Sequence, residues 1–227
     1  MFFNVKINGL ENKLYCFTRF DPKNISSFKS FSNHTGISSD LYISTCKELL
    51  LKIERPKYKI RSNFYRWFFR DFLRKIFILG WDAKREYQGY KIAHSIGLAT
   101  PKVYCWGGTL SPFSETISFI ILEYKEFYTP GFLYFRSLSE CDKYKFIEKL
   151  SSEAVTLARR GYVHRDFHLN NFLVNADGSV LWIDTHFKRL SFIKSKKRMQ
   201  LYNSLSDDKL GGYKYKSIIY NAFEKIY

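Results

Sequence analysis

The first quarter of the chain is patterned with a period of two. In "ELLLKIE", residues 48 to 54, Leu49, Leu51 and Ile53 fall on one face of an extended strand, and Leu50, Lys52 and Glu54 fall on the other. Lys52 therefore points away from the apolar set, into solvent or into a cleft. "NVKINGL" and "LYCFTRF" read as strands around an Asn-Gly turn, and "LYIS" leads into "ELLLKIE" across "TCK". Further on, "KVYCWGG" and "ISFIILEY" read as two more strands.

Helical spacing dominates elsewhere. Residues 61–79, "RSNFYRWFFRDFLRKIFIL", predict a helix with Arg66, Arg70 and Arg74 on one face and Phe64, Phe68 and Phe72 on another. A second helix follows "GWD", with Asp82 as cap and an end near Gly97. Its apolar stripe is Ala83, Tyr87, Tyr90 and Ala93, and at about 100° per residue Glu86 falls inside that stripe. A buried carboxylate needs a partner, because an unpaired buried charge is very costly. His94 shares the stripe and is expected to be packed. A long helix runs from Ser139, its cap, to Arg160, with Phe146, Ile147, Leu150, Ala154 and Leu157 as stripe and Gly161 as stop. "FLVNADGSVLWI" predicts a hairpin with an Asp-Gly turn, and the tail from 188 is basic, then helical.

The polar chemistry gathers in "VHRDFHLNNFLVNADGSVLWIDTHF", residues 163–187. Asp166 and Asn171 precede one strand of the hairpin and Asp184 follows the other. A hairpin returns on itself, so Asn171 and Asp184 come to one open end. Two carboxylates and an amide oxygen suit a hard cation such as Mg²⁺. Three plainer readings compete. Asp and Asn are common in loops. His164 and His168 with His186 could hold zinc, which requires a helix across 164–168 that the following "LNN" argues against. The histidines could also be structural, above all His164.

Composition bounds the rest. The chain has 227 residues, 45% hydrophobic and 26% charged, which reads as globular rather than disordered. No apolar run approaches the roughly 20 residues of a membrane span, and "MFFNVKING" lacks the pattern of a secretory signal. Cys16, Cys46, Cys105 and Cys141 form no CxxC pair and are expected to be buried free thiols of a cytoplasmic protein. A net charge of +16 favours anionic partners: nucleic acid, anionic lipid or a phosphorylated substrate.

"HRDFHLNN" resembles the catalytic loop of protein kinases, and "WIDTH" stands where their metal-binding aspartate belongs. "LLLKIE" resembles the strand with the phosphate-pairing lysine, Glu86 the glutamate that pairs with it, and "ILEY" (121–124) the hinge. More narrowly, the chain resembles the bacterial lipopolysaccharide core kinases that phosphorylate heptose or Kdo. The compact size, the basic insert between lysine strand and glutamate helix, and the wording "HRDFHLNNFLV…WID" carry that likeness.

The resemblance implies one α+β, protein-kinase-like domain of two lobes, a small β-rich one over about 1–122 and a reduced, mostly helical one over about 125–227. It implies ATP and Mg²⁺ as cofactors. Asp166 would be the base, with His168 beside it in a catalytic role. Asn171 and Asp184 would be the metal ligands, Lys52 and Glu86 would serve the phosphates, and Glu123 and Tyr124 the nucleotide at the hinge. The implied partner is an anionic glycolipid or sugar acceptor, met in the cytoplasm with peripheral contact at the inner membrane face. The arginine face of 66–74 is a candidate for that contact, against an ordinary solvated surface. No nucleic-acid partner is expected, since its recognition signatures are absent.

Three departures from protein kinases stand out. No G-x-G-x-x-G precedes Lys52, leaving "SNHTGISS" (32–39) to cover phosphates. His168 replaces a lysine, and 43 residues follow Asp184, with no A-P-E. The alternatives are a kinase for a protein or another small molecule, and a non-catalytic basic binding module.

Overall fold

A computed structural model describes residues 2–7, 10–17, 27–31, 39–54, 64–73, 82–108 and 118–227. It divides into two compact units, Met1–Gln88 with Pro101–Glu126, and Gly89–Thr100 with Phe127–Tyr227. The residues of the Asn-Gly turn, the candidate phosphate cover over 32–38, and Arg74 lie outside the described residues.

Among the described residues the first unit holds seven strands: β1 (Phe2–Ile7), β2 (Leu10–Cys16), β3 (Ser27–Ser30), β4 (Ser39–Ser44), β5 (Leu49–Glu54), β6 (Val103–Gly108) and β7 (Ser118–Glu123). They run in the order β1-β2-β6-β7-β5-β4-β3, and β1 closes the sheet by pairing parallel to β3. The predicted alternation in β5 is present: Leu49, Leu51 and Ile53 are buried with Leu14, Phe28, Phe119 and Ile121, while Lys52 looks out from the opposite face. Both edges of β5 are paired, to β4 and β7, so Lys52 stands on a strand with little freedom to shift.

The helix expected over 61–79 differs. An α-helical turn, α1 (Phe64–Arg66), passes into a π-helix over Trp67–Phe72. π winding is rare and usually confined to short stretches inside α-helices. Phe64 stacks on Phe68 at 6.1 Å and Phe68 on Phe72 at 5.1 Å. Of the arginine face, Arg66 is exposed, and the Arg70 side chain lies outside the described residues.

Helix α2 (Asp82–Ser95) carries Glu86 in the part assigned to the first unit, and Gly97 follows it with φ 81°. Asp82 is the first helical residue rather than the one before it. Ala83, Tyr90 and Ala93 are buried as the stripe predicts, but His94 is exposed. It lies one position past Ala93, far enough around the helix to reach solvent.

The second unit is mostly helical: α3 (Gly131–Ser137), α4 (Glu140–Arg159), α5 (Lys194–Asn203) and α6 (Tyr213–Glu224), with short strands β8 (Thr129–Pro130), β9 (Tyr162–His164), β10 (Phe172–Val174), β11 (Val180–Trp182) and β12 (Phe187–Arg189). Ser139 caps α4, its hydroxyl accepting from the Asp142 N–H at 3.2 Å, and Gly161 ends it with φ 82°. The β10–β11 hairpin pairs Phe172 with Trp182, and Trp182 is fully buried against Phe167, Phe172 and Phe187. β12 and α3 had no clear signal in the sequence, being short elements held by their neighbours.

Cys16 and Cys105 are buried, but Cys46 and Cys141 are exposed, against the expectation of four buried thiols. Cys46 falls in the β4–β5 turn and Cys141 in the first turn of α4, both surface positions by construction. Among the described residues, no helix is long and apolar enough to cross a membrane.

The second unit fixes the backbone after Asp184 by close contact. A Cβ placed on Gly89 would lie 1.6 Å from the carbonyl oxygen of Thr185, a fully buried residue. Backbone cannot rotate out of the way, so Gly89→Ala is expected to destabilise the protein by about 3 kcal/mol or more. Urea unfolding of the variant beside the parent checks this, and equal midpoints would show that α2 can move away freely.

Candidate functional site

Glu86 is 3% exposed on the inner stripe of α2, and its carboxylate accepts from the Lys52 ammonium at 2.9 Å. The lysine side chain is 21% exposed, so the pair has one buried end and one end facing outward. Removing either member leaves the other uncompensated in a dry setting. The buried carboxylate inferred from helical spacing thus has its partner, and that partner is the outward lysine of β5.

Glu123 ends β7. Its carboxylate binds Lys125 at 2.7 Å, and that contact holds its carboxyl below the usual range. The Glu123 N–H donates to the Lys102 carbonyl and the Tyr124 N–H to the Glu48 carbonyl, each at 2.8 Å. Both backbone donors are therefore engaged within the unit.

In the second unit His164, 2% exposed, ends β9 and fixes the loop that follows. Its Nδ1 accepts from the Asp166 N–H at 3.2 Å, and its Nε2 lies 3.0 Å from the Asp184 carbonyl. An acceptor at one nitrogen and a carbonyl at the other select the neutral ring with its proton on Nε2. Burial pushes the imidazole down to about 4, against the opposing pull of Asp184. Residues 165–168 form a turn, not a helix, so His164 and His168 are not on one helical face. The Asp166 carboxylate is half exposed, while its neighbour Phe167 is buried and its N–H donates to the Ser204 carbonyl at 2.8 Å.

Asn171 is buried at the mouth of the hairpin, and its amide nitrogen donates to the Asp166 carbonyl at 2.8 Å. This turns the amide oxygen the other way. The ladder continues one step past Trp182, where the Ile183 N–H donates to the Asn171 carbonyl at 2.9 Å, and Asp184 follows with φ 54°. A left-handed aspartate costs energy that a looser loop would not require. Its carboxylate is 45% exposed, with His186 Nε2 at 3.5 Å. An amide oxygen and a carboxylate at one hairpin end are hard oxygen donors, and that donor set fits Mg²⁺.

The surroundings of Asp166 contain one residue that spacing did not suggest. Lys209, in the 3₁₀ turn Asp208–Leu210, places its ammonium 2.7 Å from Asp166 Oδ2. His168 Nε2 is 3.5 Å from the same oxygen, and its Nδ1 is buried with no hydrogen-bond partner. Burial lowers the His168 pKa, outweighing the pull of Asp166. The cation beside Asp166 is therefore Lys209. Arg165 is exposed and makes no ion pair among the described residues.

No protein-family model matches the chain, and no curated protein matches it. Solved structures do. WaaP, solved in complex with acyl carrier protein, superposes with a TM-score of 0.55 at 17% identity, covering 87% of this chain and 78% of WaaP. The chain has the WaaP fold. That fold is protein-kinase-like, as the order of elements around "HRDFHLNN" predicts. WbdD bound to a kinase inhibitor follows at 0.49 and 14% identity, over 86% of this chain and 45% of WbdD. The Cydia pomonella granulovirus kinase PK-1 matches at 0.44 and 14% identity, over 72% and 53%.

Within the WaaP-like fold, the linkage of His164 to the loop has a measurable signature. The native state holds the ring neutral, whereas an unfolded chain protonates it near its ordinary value of 6.5. Its contribution to stability is therefore full above about pH 6.5 and is lost as pH falls toward about 4, with up to one proton taken up on unfolding. His168 shifts in the same direction, so the parent slope is steep and His164→Gln is expected to flatten it in part. Urea midpoints at a series of pH values give the slope; identical slopes in parent and variant would contradict a buried neutral His164.

Proposed function

We propose that the chain is an ATP-dependent phosphotransferase that phosphorylates a heptose or Kdo hydroxyl of the lipopolysaccharide inner core. The observation that carries the reading is the pair of hydrogen bonds made by one buried imidazole, His164, to the Asp166 N–H and the Asp184 carbonyl. A basic docking module has no need of two carboxylates held in register by a buried ring. Phosphoryl transfer does, because its catalysis consists almost entirely of positioning and charge neutralisation.

In this reading Asp166 accepts the proton of the attacking sugar hydroxyl as the oxygen bonds to the γ-phosphorus, and ADP leaves with the electron pair of the broken bond. Half exposure lets its carboxylate meet an acceptor, while the fixed backbone restricts its direction. Asn171 and Asp184 would hold Mg²⁺, which neutralises phosphate charge. Lys52, steadied by Glu86, pairs with the α- and β-phosphates. The carbonyls of Glu123 and Tyr124 orient the nucleotide base. His168 is uncharged, so it orients the Asp166 carboxylate rather than neutralising phosphate. Lys209 supplies the cation at Asp166 and draws on the charge that develops on the transferred group.

The test is incubation with Mg-ATP and dephosphorylated core oligosaccharide, read as a gain of one phosphate in mass. Asp166→Asn is expected to keep nucleotide binding and to lose turnover by about two orders of magnitude or more. Lys209→Gln is expected to lower kcat by about tenfold to a hundredfold with the KM for ATP little changed, since its interaction belongs to the transition state. No phosphate gain with any core sugar, alongside phosphorylation of a protein or another small molecule, would redirect the reading to that acceptor. Full activity in Asp166→Asn would end it.

A further inference from the structure

The stretch from Thr185 to Ser206 holds six Lys and Arg and no Asp or Glu. It begins immediately after Asp184 and forms β12, a short exit turn and α5. Helix stability does not account for its charge. The first turn of α5 carries Lys194, Lys196 and Lys197 with no acid and no side-chain cap, and cations at that end oppose the helix dipole.

The exit turn is a built projection. Leu190 is anchored in the core, the Ser191 N–H donates to Gln200 Oε1 at 2.7 Å, and the Ile193 N–H donates to Ser191 Oγ at 3.1 Å. These bonds hold Phe192 and Ile193 outward, 89% and 54% exposed, and Met199 is 58% exposed on the helix behind them. Phe192 and Ile193 stand side by side just before the first turn of α5, which carries Lys194, Lys196 and Lys197. Isolated exposed apolar residues are ordinary, but a contiguous set rimmed by cations marks an interaction surface.

We propose that the Phe192–Ile193 tip and the lysines of α5 form a docking surface for an anionic lipid bilayer. The charge fits headgroup phosphates, and the apolar tip fits the acyl boundary beneath them. A nucleic acid matches the charge alone, since a duplex offers Ile193 no apolar phase. The proposal is independent of the phosphotransferase reading, because docking needs no nucleotide and no acceptor sugar.

Sedimentation of the full chain with vesicles tests it, using phosphatidylcholine alone and phosphatidylcholine with about 30% phosphatidylglycerol. The parent is expected to bind the anionic vesicles selectively. The triple change Lys194→Gln, Lys196→Gln and Lys197→Gln should weaken that binding on the order of a hundredfold, since each basic residue near an anionic surface contributes about fivefold. The double change Phe192→Ser and Ile193→Ser should leave a weak, salt-sensitive remainder. Phe192, Ile193, Lys194 and Lys196 are exposed, and Lys197 is half-buried with its ammonium 4.1 Å over the Tyr227 ring; matching thermal unfolding of the variants confirms that the fold is kept. Absence of vesicle binding by the parent overturns the proposal, as does binding that both variants retain. Tighter binding to a DNA or RNA duplex that depends on the lysines and ignores Phe192 and Ile193 overturns it in favour of nucleic acid.

Discussion

One buried imidazole organises the second unit's chemistry. His164 ends β9 and uses both ring nitrogens on backbone groups, the Asp166 N–H and the Asp184 carbonyl. Those groups lie 18 residues apart in sequence, one before the β10–β11 hairpin and one after it. A single neutral ring does this only while it stays dry, because protonation at Nδ1 would set a donor against the Asp166 N–H. The aromatic walls of Phe167, Trp182 and Phe187 around the ring are what keep it dry. Trp182 is in turn fixed by its place in the hairpin and by its N–H bond to the Ala99 carbonyl.

The first unit solves a different electrostatic problem. Its buried charge, Glu86, cannot be neutralised by an imidazole's choice of tautomer and needs a full countercharge. Lys52 supplies it from a central strand, at the cost of desolvating part of an ammonium. A salt bridge with one face outward is poor value as a stabilising device. It gains sense where the outward face has an anion to meet, and a phosphate is such an anion.

These features differed in how legible they were. Glu86 declared itself because a carboxylate on an apolar stripe violates the pattern around it, and the violation demands a partner. Lys52 was legible through strand alternation. The loop 164–171 was legible by wording, and the hairpin by its Asp-Gly turn. Lys209 was not: it is one lysine among many in a basic tail, and only the 3₁₀ turn that follows α5 brings it to Asp166. Nor was the π-helix of Trp67–Phe72, because a four-residue repeat of rings reads the same in either winding. His94 failed for the opposite reason, since a stripe drawn one position too wide takes in a neighbour that faces solvent. Local periodicity reports which face is buried; it does not report what a distant turn delivers to a loop.

The excess of positive charge is therefore not one property. Lys52 is partly buried and held by a carboxylate, Lys209 is held by the very group it would assist, and the lysines of α5 project with no acid within their stretch. A cation that is already paired has little left to offer a distant anionic surface, because its field is largely cancelled beyond a Debye length, about 8–10 Å at physiological salt. The lysines with no carboxylate in their stretch are the ones whose field reaches out, and they are also the set flanked by exposed Phe192 and Ile193. Solubility alone asks for charges of either sign scattered over the surface and gives no reason to place rigid apolar side chains among them. The combination of unshared charge and presented hydrophobes on α5 follows from contact with something both anionic and apolar, and a bilayer surface has both properties at the required depth.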